Sequence, residues 1–483
     1  MKRLKKALII HLCLIFVFST NAVAISIPDE QKLGDKYMQH IKDQRRIIHD
    51  PVVHRMMNIV GMHIISVLPP QPFEFTYNLI NDDSFNAFAS PAANIFIHWG
   101  LIAALDTMDE FAGIMAHEIA HSASRHVSES IDRSKLISLG SMAGMLAGVL
   151  IGAAGENGDA AQALTLGSVA AGQSAMLSFT RENETEADQK AVLFMNQTGY
   201  RPEGLLSALN KIREADYQGM ENIPDYFKTH PGTGERIAHL AGILGDDTPP
   251  ANKLPAPENY AFQMVKYRVI GLYSDPGIYI DKLEVLVEKD PKNKALNYGL
   301  GLLYMRTSRL DEARTRINTA LAQDPFDPMV LMALARLNIR SGNFNAAISV
   351  LKGVIPDEVL GDTGLYYRSV AQIETGDIDA SESGLYRIIA KNLPGFEKAN
   401  YHMANIMTRR GNTPLASYYL GVYYADTGNV NNATHHLKKA IKTLKNKVLL
   451  QNAEDKLRQL REKNSKTRRR HFIPNFSTTP LHR

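Results

Sequence analysis

His117, Glu118 and His121 stand in the order His-Glu-x-x-His. On an α-helix, residues four apart share a face, so both imidazoles can reach one ion. Glu118 is the next residue along and can hold a water beside that ion and take its proton. The stretch 109–126 carries Phe111, Ile114 and Met115 at helical spacing, which predicts an amphipathic helix. Ile114, Ile119 and Ala120 beside the motif predict burial, not a solvated turn.

A hydrolytic metal needs a third protein ligand and an open position. Cysteine is unavailable, because Cys13 is the only one and lies in the N-terminal apolar run. The acidic stretch 182–188 offers Glu182, Glu184, Glu186 and Asp188. At about 100° per residue, Glu182 and Glu186 face away from Glu184, whereas Asp188 lies roughly 40° from it. Glu184 is the expected ligand. Asp188 is expected to bond the far nitrogen of a ligand histidine and fix its tautomer. Glu182 and Glu186 read as a solvated helix start. Two histidines and a carboxylate suit Zn2+, one ion per chain.

These residues need helices to carry them and a core to bury them. The chain has 483 residues, 45% hydrophobic and 22% charged, which excludes a disordered or fibrous protein. That length implies several domains. Residues 1–24 read as a cleaved secretory signal peptide: Lys2, Arg3, Lys5 and Lys6 precede the apolar run Ala7–Phe18, and Ala22-Val23-Ala24 closes it. Export to a bacterial periplasm follows, and a chain cut there retains no cysteine to mispair. Basic and acidic residues then number 50 each, a balance that excludes nucleic acid as the main partner.

Residues 25–245 are expected to form the metal-bearing domain, and the proline-rich stretch 246–257 a linker. From 258 to 445 the chain reads as helical repeats with a period of 34. Asp290-Pro291 recurs as Asp324-Pro325, Ala313 as Ala347 and Gly342 as Gly376. Gly301, Tyr304, Ala313, Ile317, Ala320 and Pro325 match the tetratricopeptide pattern. After four units the phase slips, since Gly411 and Gly428 are 17 apart. A lone helix near 396–410 then precedes a last pair containing Gly421 and Leu437. The predicted fold class is α+β and mostly helical: a metal-binding domain with a small sheet, then an α-solenoid.

Two segments stand apart. Residues 136–179 contain small residues every fourth position, Gly140 to Gly152 and Ala163 to Ala175, which predicts a tightly packed α-hairpin. It reads as a lid, or as a membrane-contacting element. Residues 441–483 hold 12 basic and 3 acidic residues. From 446 they read as a disordered basic tail, or as a segment drawn to an anionic membrane or acidic partner.

Four motifs together carry a resemblance. They are the His-Glu-x-x-His, Glu184-x-x-Ala187-Asp188, Asn86-Ala87-Phe88-Ala89-Ser90-Pro91 before Ile95-Phe96-Ile97, and Thr229-His230-Pro231 with Arg236. As a set they resemble the membrane-associated zinc metallopeptidases that include HtpX and the CaaX prenyl proteases. The resemblance implies a zinc metalloendopeptidase in which Ile95, Phe96 and Ile97 form an edge strand that takes substrate as an added strand. An ordinary core strand accounts equally for those apolar residues. The resemblance also sets His230 near the active site, either stabilising an oxyanion or filling the metal's fourth position as an inhibitory plug. Ala92-Ala93 departs from the family, which has glycines there.

The signal peptide and repeats narrow the resemblance to a periplasmic branch of the family. That branch implies unfolded or misassembled outer-membrane proteins as clients, a chaperone-like role, and docking of the repeats on the β-barrel assembly machinery. The competing expectation is a repeat-based chaperone or scaffold with a largely silent metal site.

Overall fold

The computed structural model describes residues 25–44, 46–131, 181–217, 226, 230–245 and 259–471. The expected signal peptide, hairpin 136–179 and linker 246–257 lie outside the described residues. The chain divides into two compact units, Met1–Asp275 and Pro276–Arg483.

The first unit opens with helix α1 (Ile27–Asp43), capped by the Ser26 side chain. Strand β1 (Ile47–Ile48) follows, then helix α2 (Pro51–Ile65), whose first amide groups are held by Asp50. Strands β2 (Thr76–Ile80), β3 (Ala87–Ser90) and β4 (Asn94–His98) complete a four-stranded sheet of order β1-β2-β4-β3. β2 and β4 are parallel; the other pairings are antiparallel. All five residues of β4 are buried.

This order corrects the expectation for Ile95, Phe96 and Ile97. Their strand is central, with Tyr77, Asn78 and Leu79 on one side and Ala89, Phe88 and Ala87 on the other. Its backbone groups are spent on two neighbours, so no further strand can add there. Among the described residues, β3 is the edge strand beside it. The continuous apolar run marks a strand covered on both faces.

The turn between β3 and β4 places Ala92 at φ 62° and Ala93 at φ 55°, both left-handed. Glycines would adopt this conformation without strain. Here Asn94 Nδ2 donates to the Pro91 carbonyl, and the Ala92 amide reaches Glu30 from α1, which holds the turn.

Helix α3 (Trp99–Ala104) leads to α4 (Met108–Ala123), which bears the His-Glu-x-x-His. Thr107 and Glu110 form a capping box at its start. A helix over 181–198, α5, carries Glu184 and Asp188. Helices α6 (Glu203–Tyr217), α7 (Thr233–Ile243) and α8 (Asn259–Tyr273) finish the unit. α4 and α6 approach closely at Gly113, where a Cβ would come within 2.9 Å of Leu205.

α8 lies where the repeat phase begins, yet its described contacts are with the first unit. Arg268 pairs with Asp50 at 2.9 Å, Lys266 with Asp106 at 2.6 Å, and Phe262 packs on Phe111.

The second unit is a row of antiparallel helices: α9 (Pro276–Lys289), α10 (Lys294–Arg306), α11 (Leu310–Gln323), α12 (Pro328–Arg340), α13 (Phe344–Val354), α14 (Gly361–Thr375), α15 (Ile378–Lys391), α16 (Glu397–Arg409), α17 (Thr413–Asp426), α18 (Val430–Ile441) and α19 (Lys447–His471). One contact between a glycine and the facing helix recurs at the same offset within helix pairs, on both sides of the phase slip. Gly301 sits against Ile317, and Gly421 against Leu437 in the last pair.

α19 corrects the reading of a tail disordered from residue 446. Ala453 and Leu457 are buried, and Leu449 and Leu460 pack with them on the core of the preceding helices. Four apolar residues at helical spacing seal the last repeat, and the basic side chains do not prevent it. Among the described residues, no helix is long and apolar enough to cross a membrane.

Candidate metal centre

α4 and α5 bring their motif residues to one place. His117 and Glu118 are fully buried, and His121, Glu184, Asp188 and His230 are buried with them. His117, His121, Glu184 and His230 each present a donor atom, all within 4.8 Å of one another. The spacings are those of a polyhedron around a single point. His117 Nε2 and His121 Nε2 are 3.0 Å apart. Each lies 3.3 Å from a Glu184 oxygen, and His230 Nδ1 is 3.1 Å from Glu184 Oε2. A tetrahedral ion with bonds of about 2.0–2.1 Å has ligand–ligand edges of about 3.3 Å. Two imidazole nitrogens facing each other at such a distance fit an ion between them.

Each candidate ligand is backed by a different group. Asp188 Oδ1 lies 2.9 Å from His117 Nδ1, which leaves Nε2 free for the ion. Arg236, on α7, grips Asp188 with two bonds of 2.7 and 2.8 Å and reaches Glu184 at 3.0 Å. Burial and the Arg236 guanidinium work against protonation of His117, but Asp188 and Glu184 outweigh them and raise its pKa to about 9. Burial lowers His121 to about 3. Burial alone would raise Glu184, yet His230, His117 and His121 hold it well below the usual carboxylate range. Asp188, despite burial, is drawn down to about 2 by Arg236.

Glu118 differs from the other acids. Both its oxygens are buried, and neither has a hydrogen-bond partner among the described residues. His230 Nε2 lies 3.5 Å from Glu118 Oε1. Two acceptors aimed into a site without a donor suit a water.

His230 follows a break in the described chain, just before α7. Its Nε2 lies 3.2 Å from the Ala87 carbonyl of β3. Its ring stacks on Tyr226 at 4.5 Å, and the Tyr226 amide donates to the Phe85 carbonyl. The His98 amide donates to the Asn86 carbonyl, so by alternation Ala87 and Ala89 turn their backbone groups away from β4. Residues 226 and 230 therefore sit along the outer edge of β3. A cavity of about 600 Å3 opens beside them, lined by Phe88, Ala89, Glu118, Glu184 and His230 among others.

The contacts of Arg236 and the place of His126 were not visible in the sequence. Arg236 carries no signal of its contacts beyond its place after His230-Pro231. His126 lies on the far side of His121, its Nδ1 3.0 Å from His121 Nδ1, and it faces Glu186 at 3.4 Å. Glu186 is thus not merely solvated; it bonds Lys190 at 2.5 Å and approaches His126. Glu182 is exposed as expected. Ile95, Phe96 and Ile97 sit one strand removed from the free edge.

Residues 50–244 match the model of peptidase family M48, and residues 280–337 match a tetratricopeptide repeat model. The beta-barrel assembly-enhancing protease of Escherichia coli (strain K12) is 27% identical over 332 residues, 68% of this chain and 66% of its own length. The putative beta-barrel assembly-enhancing protease of Vibrio cholerae serotype O1 is 26% identical over 320 residues, 65% of this chain and 64% of its own. Mitochondrial metalloendopeptidase OMA1 of Schizosaccharomyces pombe is 26% identical over 177 residues, 37% of this chain and 49% of its own. The chain spans just under two thirds of the length of the bacterial relatives it matches.

Proposed function

For a chain built as a peptidase family M48 domain followed by tetratricopeptide repeats, we propose a zinc-dependent endopeptidase of the periplasm that acts on unfolded or misassembled outer-membrane proteins. The observation that carries this reading is the juxtaposition of His117, His121 and Glu184 at ligand spacing with the unpartnered, buried carboxylate of Glu118. The names of the bacterial relatives support the client class, and the repeats suit recruitment by an assembly machine.

His117, His121 and Glu184 would hold the ion, and two imidazoles with one carboxylate favour zinc. Zinc bound there supplies a Lewis acid that polarises the scissile carbonyl and acidifies a water. Glu118 takes the proton of the attacking water and returns it to the leaving amine. Asp188 keeps the His117 proton on Nδ1, and Arg236 holds Asp188 in place. Substrate backbone pairs with the outward groups of Ala87 and Ala89 on β3, which present methyl side chains and impose little sequence preference.

His230 has two roles open to it: donor to a developing oxyanion, or fourth ligand. Its bond to the Ala87 carbonyl, with Tyr226 on Phe85, favours the second, because both occupy the edge that substrate needs. The site would then rest closed until a client or docking partner displaces them. That same closure is what favours the competing reading, a chaperone or scaffold whose metal site stays silent.

The test is degradation of an unfolded protein by wild type, Glu118→Gln and His230→Ala, with bound zinc measured in each. Zinc in all three, cleavage lost in Glu118→Gln and faster in His230→Ala is the expected result. Stoichiometric zinc with no cleavage by wild type or His230→Ala would favour the scaffold.

A further inference from the structure

The two ligand histidines are supported differently, and the second support has no assigned role. His117 rests directly on a carboxylate, Asp188. His121 rests on a second histidine. Its Nδ1 is 3.0 Å from His126 Nδ1, and His126 Nε2 is 3.4 Å from Glu186 Oε2. Lys190 Nζ lies 2.5 Å from the other Glu186 oxygen and also donates to Ser124.

The protons in this chain have one consistent arrangement. His121 turns Nε2 toward His117 and Glu184, so that nitrogen is the ligand and must be bare. Its proton is then on Nδ1 and is donated to His126. His126 Nδ1 accepts, so the His126 proton is on Nε2 and points to Glu186. The carboxylate orients His126, and His126 orients His121. Reversing either imidazole would put two N–H groups or two lone pairs face to face.

The fold supplies this placement deliberately. Arg125, immediately before His126, sits at φ 56°, a left-handed conformation that is strained for a non-glycine residue. Its guanidinium bonds Glu30 and the Ile25 carbonyl, which holds the bend that turns the buried His126 back onto α4.

We infer that His126 and Glu186 are positioning residues that hold His121 in its metal-binding tautomer through a histidine-to-histidine hydrogen bond. This rests on the proposal that His117, His121 and Glu184 bind a metal. In this role the pair acts through His121.

The experiment is zinc affinity by chelator competition on the full chain, for wild type, His121→Ala, His126→Ala, His126→Gln, Glu186→Gln and the double variant His126→Ala with Glu186→Gln. Wild type should bind one zinc and His121→Ala should lose it; failure of that comparison rejects the metal site itself. With the site established, His126→Ala should weaken zinc by about 10- to 100-fold. His126→Gln, whose amide oxygen can still accept from His121, should recover part of the loss. Glu186→Gln should show a smaller loss that vanishes in the His126→Ala background, because its effect is inferred to pass through His126. Zinc affinity unchanged in His126→Ala, or additive losses in the double variant, would overturn the inference. Glu186 is about half exposed, so its variant tests the chain without endangering the fold.

Discussion

His117 and His121 are one helical turn apart and titrate in opposite directions. His117 is raised to about 9, above the ordinary value of about 6.5. In the metal-free chain its stabilising contribution is complete below pH ~6.5 and is lost as pH rises through 9. His121 is lowered to about 3, so its contribution is present above pH ~6.5 and is lost as pH falls through 3. Thermal melts of the chelated protein should therefore peak near pH 6.5. A metal must displace the His117 proton, so zinc affinity should climb between pH 7 and 9 by up to about tenfold per unit; chelator titrations across that range check it. Asp188→Asn should weaken zinc about 10- to 100-fold, because Arg236 and His117 lose the carboxylate between them. The spacing of His117, Glu118, His121, Glu184 and Asp188 made these residues legible, because i, i+4 geometry is local. Arg236 was visible as a motif residue, but its contacts, and the places of His126 and Glu186, were not, because they arise where α7, the end of α4 and α5 meet.

At the scale of elements, the turn before β4 stores strain in two alanines. Each left-handed alanine costs about 1 kcal/mol that glycine would not. Ala92→Gly and Ala93→Gly should each raise stability by up to that amount in urea melts, with the β3 edge unchanged. The small positions of the repeats behave oppositely. A Cβ at Gly421 would lie 2.7 Å from Leu437, so Gly421→Val should destabilise the second unit by about 1–3 kcal/mol. The alternation of small and large residues that the last pair shares with the earlier repeats showed this packing in the sequence. Burial and side-chain size also set the places of the two strands in the sheet. Asn94–His98 is buried throughout and lacks the alternation of an edge, whereas Ala87-Phe88-Ala89 alternates small and large. In the tail, charge outnumbered the stripe of Leu449, Ala453, Leu457 and Leu460, but a few apolar contacts on an existing core are enough to order a helix.

For the whole molecule, the family match ends at residue 244, but the first unit does not. Asp50 caps α2 and also takes Arg268 and Tyr273 from α8; Asp106 takes Lys266. Removing one partner of a buried pair costs about 3–5 kcal/mol. A chain truncated after Gly245 should melt without a sharp transition, and one truncated after Asp275 should melt cooperatively, as followed by circular dichroism. The site has its own long reach: Arg236 and His117, in contact through their shared acids, are 119 residues apart in sequence. An ion at their centre would clasp three distant stretches of chain at once. Every tenfold rise in free metal beyond the dissociation constant would then add about 1.4 kcal/mol to the folded state. Scarcity of the ion would thin out the population of intact molecules as well as idle them, making abundance itself a gauge of the metal supply.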